Sequence, residues 1–280
     1  MQRWKQGKLF LLPHTEAMHR ATEGNGTTLP DLLGVPRERV RIGLLLLLLT
    51  LNAAWIDMLS YLSLGRVFAS FMTGNFLFIG LGAAQGNSGL LIRALVAVLV
   101  FLVGAAFGSF CLGRAPQQQT GTAWHHTFAR YLLLEWLLLL VYAVIWRVMG
   151  NQSQQTGVQI LLLGVAALGM GMQGALVTVF NIPGVVADAL TATLITLGQR
   201  LAQGLGHPGS EGREWMWSSM FLALLCLIYV VSAFVVALTS AFILTPVVPV
   251  IVVTIAIFAL LVPSRQATRS LPTSSSEGNT

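Results

Sequence analysis

From Ile42 to Val262 the chain alternates long apolar stretches with short polar breaks. The apolar runs are Ile42–Leu64, Val67–Ala84, Leu90–Leu112, Phe128–Trp146, Val158–Phe180, Val185–Ala202, Trp215–Ser240 and Pro246–Val262. About 20 helical residues cross the ~30 Å hydrocarbon layer of a bilayer. The pattern therefore predicts an all-α integral membrane protein with six to eight transmembrane helices. Two runs differ from the rest. Val67–Ala84 is interrupted by Thr73-Gly74-Asn75, and Val185–Ala202 carries Asp188, Thr191, Thr193 and Thr196. Polar groups are costly in lipid, so short or broken helices are expected at 67–84 and 185–202. Asp188, near the start of its run, reads as a helix-capping acid.

These two unusual runs are related to each other. A shift of 118 positions lays Val67, Ala69, Thr73, Gly80, Ala84, Gln85 and Gly86 on Val185, Ala187, Thr191, Gly198, Ala202, Gln203 and Gly204. With a two-residue insertion in the turn, Asp57 falls opposite Gln173. The expected organisation is a membrane repeat over 41–150 and a second over 151–263. Outside the repeats, residues 1–40 show no sustained period and end in Arg37, Arg39 and Arg41, which reads as a disordered basic cytoplasmic tail. Residues 264–280 are rich in Ser and Thr and read as a second disordered tail.

Topology is left with two solutions. If every run crosses, Arg66, Arg114 and Arg130 lie outside; if the two unusual runs dip in and return, Arg66, Arg93 and Arg147 do. Either way all but three of the 16 Lys and Arg are inside, and both termini are cytoplasmic. Eight crossings make the halves parallel repeats, whereas six make them inverted, as in many secondary transporters.

Composition confirms the solvent and narrows the chemistry. Hydrophobic residues make up 55% of the chain and charged residues 9%, against about a quarter charged in soluble domains. The net charge of +6 reads as topology, so lipid rather than nucleic acid is the expected partner. Cys111 and Cys226 both fall inside apolar runs and read as small packing residues rather than a disulfide. His14, His19, His125, His126 and His207 lie outside the runs or at their ends, which argues against haem. CxxC, HExxH, GxxxxGK[ST] and GxGxxG motifs are absent, so no cofactor, metal or enzymatic activity is expected. Gly104-x3-Gly108 has the small-xxx-small spacing that lets helix backbones approach closely.

Asp57 before Gly65-Arg66-Val67-Phe68, followed by Met72-Thr73-Gly74-Asn75, resembles the YoaK-type family of bacterial membrane proteins. So does Ala167-Leu168-Gly169-Met170-Gly171-Met172-Gln173 with Val177, followed by Pro183-Gly184-Val185 and Thr191-Ala192-Thr193. The likeness covers about 40–262. It implies a multi-span protein of the bacterial cytoplasmic membrane with a domain of unknown function, and it assigns no activity. One departure is Ala192, where the family usually has Gly between the two Thr. If that Gly breaks a helix, the second half is less broken here.

The candidate residues are the polar ones that lipid penalises. Asp57, ~22 Å into its run, is either a proton or cation carrier or an interfacial acid bonded to the next turn and salted by Arg66. Thr73, Gly74 and Asn75 either present a helix break to a ligand, with Thr191 and Thr193 opposite, or pack two repeat helices together. Gln173 is expected to hydrogen-bond Asn75 or Asp57. Glu135, a lone acid in its run, needs a partner from another helix. The leading expectation is a transporter or permease of a small solute or ion, with Asp57, Thr73, Gly74, Asn75, Glu135, Gln173, Thr191 and Thr193 along its path. The competing expectation is a non-transporting scaffold or sensor whose polar residues only hold helices together. Oligomeric state is not encoded in any motif.

Overall fold

The structure, a computed structural model, describes residues 37–113, 122–149, 156–179, 190–206, 210–239 and 245–261. Most of both predicted tails, the 181–184 turn and Asp188 lie outside the described residues. Within them the chain is helical: α1 (Arg37–Ser63), α2 (Met72–Ala84), α3 (Ser88–Leu112), α4 (Thr122–Met149), α5 (Thr156–Val179), α6 (Leu190–Gly206), α7 (Ser210–Thr239), a 3-10 turn Thr245–Val247 and α8 (Val248–Leu261). Five helices, α1, α3, α4, α5 and α7, are long and apolar enough to cross a membrane. The chain divides into two compact units, Met1–Leu44 and Leu45–Thr280. The first is described only over Arg37–Leu44, the opening turns of α1.

Helices run past the apolar limits at several ends. Helix α1 begins within the basic cluster rather than at Ile42, α4 begins at Thr122 and α7 at Ser210. Charged and polar residues beyond the hydrocarbon edge continue a helix at no cost, since Arg and Glu are good helix formers and long basic side chains reach water. The opposite happens at 67–71. The apolar residues Val67–Phe71, expected to be helical, form a loop instead, and α2 starts only at Met72.

The core lies around α1 and α5. Over the most apolar 18 residues of each, 61% and 67% are buried within the protein, against 17–28% for α3, α4 and α7, whose outer faces are left to lipid. Helices α3 and α5 pack backbone to backbone. A side-chain carbon at Gly104 would strike the carbonyl oxygen of Leu168, and one at Gly171 would strike that of Phe101. One at Gly108 would meet the Tyr131 hydroxyl and the Met172 backbone. These glycines let two helix backbones touch, which is how van der Waals packing holds helices together where water no longer drives them.

Contacts along the helices fix their directions. Arg93 pairs with Gln159, Gly104 with Leu168 and Gly108 with Met172, so α3 and α5 run parallel. Tyr131 donates to the Met172 carbonyl while Leu138 lies against Gly169, so α4 runs antiparallel to α5. Gln159 donates to the Ser63 carbonyl and Gln173 to that of Leu49, so α1 is antiparallel to α5 as well. The end of α1 and the beginnings of α3 and α5 therefore share one level. Helix α2, which lies between α1 and α3 in sequence, cannot cross and must return to the side it left. Over α1–α3 this selects the dipping arrangement; residues 180–189, which precede α6, lie outside the described residues.

Candidate functional site

The loop that returns α2 needs partners for its backbone, because unpaired N–H groups cost several kcal/mol in hydrocarbon. Helix α1 ends on two left-handed residues, Gly65 at φ 95° and Arg66 at φ 63°, which turn the chain back along α1. Val67, Ala69 and Ser70 are buried in that return. Asp57, six residues before the end of α1, receives it. The N–H groups of Ala69 and Ser70 donate to its Oδ1 at 2.9 and 2.7 Å, with Phe71 N–H at 3.4 Å. The Ser70 hydroxyl donates to Oδ2 at 2.6 Å, and the Tyr229 hydroxyl reaches the same oxygen from α7 at 3.0 Å. Helix α2 has no capping side chain of its own. Asp57 supplies the negative charge and acceptors that its first turn lacks, from a different helix.

Asn75 closes the other side of the loop. Its Oδ1 accepts the Phe68 N–H at 3.0 Å and its Nδ2 donates to the Phe68 carbonyl at 2.7 Å, so the side chain satisfies both backbone polar groups of one residue. Gly74 is needed beside it, since a Cβ there would press into the rings of Phe71 and Phe68. Phe68 in turn stacks on Tyr61 and Phe78, with ring centres 5.2 and 5.8 Å apart. Asp57, Gly74 and Asn75 thus form a single cradle around a non-helical segment that lies back along the apolar span of α1.

A second polar cluster lies deeper in the bundle and joins three helices. Gln173 on α5 donates to the Leu49 carbonyl at 2.9 Å and accepts from Asn52 Nδ2 at 2.7 Å. The same Asn52 nitrogen reaches Glu135 Oε1 on α4 at 3.3 Å. All three side chains are fully buried. Asn52 and Asp57 sit five residues apart on α1 and roughly 140° apart around it, so the two clusters occupy different faces. Gln173 was expected against Asn75 or Asp57 and is found instead on Asn52, because Asn52 shares its level and its face of α1. A third network ties the helix ends: Gln159 links the Ser63 carbonyl to Arg93, whose guanidinium covers Gly65.

The predicted site residues are therefore sorted rather than gathered. Asp57, Gly74 and Asn75 meet in the cradle, and Glu135 and Gln173 meet in the deep cluster. Thr73 and Thr191 are exposed on their helices. Thr193 is buried on α6. Sequence reading passed over Asn52, Ser70 and Tyr229. Asn52 carried a usable signal, since a carboxamide inside an apolar run needs a partner as Gln173 does. Ser70 and Tyr229 carried none, hydroxyls being ordinary within spans.

Long apolar helices with their outer faces uncovered and polar groups turned inward define a helical integral membrane protein. More particularly, the chain belongs to the family described as protein of unknown function DUF1275, which matches residues 45–262. It is similar to the UPF0700 transmembrane protein YoaK of Bacillus subtilis (strain 168), with 29% identity over 196 residues, covering 70% of this chain and 83% of that one. No solved structure matches it. The family resemblance carried by the Asp57 and Gln173 motifs is thereby borne out.

Proposed function

We propose that the protein is a permease for a small solute, with the deep Asn52–Glu135–Gln173 cluster as the polar centre of its path. The observation that carries this reading is Glu135, fully buried midway along α4 and joined through Asn52 to Gln173 on a third helix. A carboxyl group at that depth costs several kcal/mol, and an apolar side chain of similar volume would hold the helices as well or better. Intramembrane acids facing a bundle interior mark ion and substrate routes. The re-entrant loop at Leu64–Phe71 adds support, because non-helical backbone at membrane depth is tolerated where it is buried in protein or lines a passage.

In this reading the chain is a duplicated unit in the bacterial inner membrane with both ends cytoplasmic. The order long helix, short helix, long helix occurs in α1–α3 and again in α5–α7, which supports the duplication drawn from the 118-residue shift. Asp57 holds the loop rather than the solute. Its work is structural, and Glu135 is the acid that meets the solute.

The test is uptake by purified protein in liposomes, using a solute found by screening for a rise in melting temperature. Glu135→Gln abolishes uptake while leaving the elution profile of the protein unchanged. Equal uptake by wild type and Glu135→Gln refutes the reading. A second reading, a non-transporting scaffold, draws on the complete bonding of the Asp57 cradle; it requires that no solute stabilises the protein and none is taken up.

A further inference from the structure

We infer that the Asn52–Glu135–Gln173 cluster binds a dehydrated monovalent cation of about the size of sodium. This rests on the permease reading only in calling that cation the coupling ion; the binding itself stands on the geometry of the cluster.

The orientation of the cluster is set from one end. Gln173 Nε2 donates to the Leu49 carbonyl, so Gln173 Oε1 must face Asn52. Asn52 therefore turns its Nδ2 inward and divides that nitrogen between Gln173 Oε1 and Glu135 Oε1. Its own Oδ1 then has no hydrogen-bond partner, although Asn52 is 0% exposed. A buried acceptor left in that state is costly, and only a donor or a cation removes the cost. The two amide atoms of Asn52 are ~2.2 Å apart, from the bond lengths of the group. With 3.3 Å from Nδ2 to Glu135 Oε1, the orphan oxygen lies within about 5.5 Å of the carboxylate. A cation held at roughly 2.4 Å from each oxygen spans most of that gap, and a small side-chain rotation closes it.

Charge selects the valence. Glu135 is the single acid of the cluster, and Asn52, Gln173 and the Leu49 carbonyl are neutral oxygens. The site brings at most one negative charge, which a monovalent cation matches, whereas a divalent ion would leave a net charge stranded in hydrocarbon. Ligands made only of oxygen suit hard cations and not the softer transition metals.

The experiment is thermal unfolding of the full chain in detergent, in sodium chloride against choline chloride at equal ionic strength and fixed pH. Sodium raises the melting temperature of the wild type, and Glu135→Gln removes that rise. Asn52→Asp keeps the shape of the site and adds a second carboxylate, so it gains a calcium response that the wild type lacks; this arm reads the site even if Glu135→Gln does not fold. Equal melting in both salts, a response to pH alone, or a sodium response surviving in Glu135→Gln overturns the inference. Sodium binding without solute uptake keeps the cation site and removes the permease reading, while uptake without a sodium response does the reverse.

Discussion

Replacing Asp57 by Ala removes the acceptor for the whole return loop. Two short backbone bonds, from Ala69 and Ser70, lose their partner, along with the Ser70 and Tyr229 hydroxyls. The hydroxyls can rotate to other acceptors, but the two N–H groups point into an apolar interior. At ~1–3 kcal/mol for each stranded group, the loss is about 2–6 kcal/mol. For a chain of this size that corresponds to roughly 4–24 °C in melting temperature. Asp57→Asn behaves differently. Its Oδ1 still serves the backbone donors, and its amide meets two hydroxyls able to accept, so the loss is about 1 kcal/mol. The assay pairs melting in detergent with thiol labelling of Ala69→Cys, a buried position. Asp57→Ala exposes that thiol and lowers the melting point well beyond Asp57→Asn. Equal melting of the two variants, with the thiol still protected, would refute the claim that the carboxylate holds the loop.

Topology gives a second prediction. In a Cys111→Ser, Cys226→Ser background, Ser88→Cys and Gly157→Cys label from the same side of the membrane, since α3 and α5 start together; labelling from opposite sides contradicts the dipping of α2. Gly171→Ala forces two backbones apart and costs about 1–3 kcal/mol or more, read as lost yield and a lower melting point. The control is Gly164→Ala on the same helix, where a Cβ meets nothing within 4 Å and the change stays within about 1 kcal/mol of neutral. Tyr229→Phe removes the hydrogen bond from α7 to Asp57 on α1, a loss of about 1 kcal/mol by the same melting assay; no change would show that the carboxylate holds the loop without help from α7.

Much of the architecture was written in local pattern. The apolar runs, the weakness of 67–84 as a span and the close approach at Gly104 and Gly108 all follow from residue size and polarity within one helix. The start of α2 was not legible, because Val67–Phe71 is as apolar as any span and its unwinding is imposed by Asp57 more than ten residues away. The same separation hid the partition of the polar residues. Periodicity places Asp57 and Gln173 at comparable depth, but which face of α1 turns to α5 depends on packing, and there Asn52 is presented and Asp57 is not. Glu135 was legible as an acid that needed a partner; the identity of that partner was not.

The bare contact between α3 and α5 has a mechanical consequence. Where the two backbones touch at Gly104 and Gly171, no side chain stands at the contact that could re-pack into a second register, so the pair behaves as a single stiff strut. The permease reading therefore places its movement outside this pair.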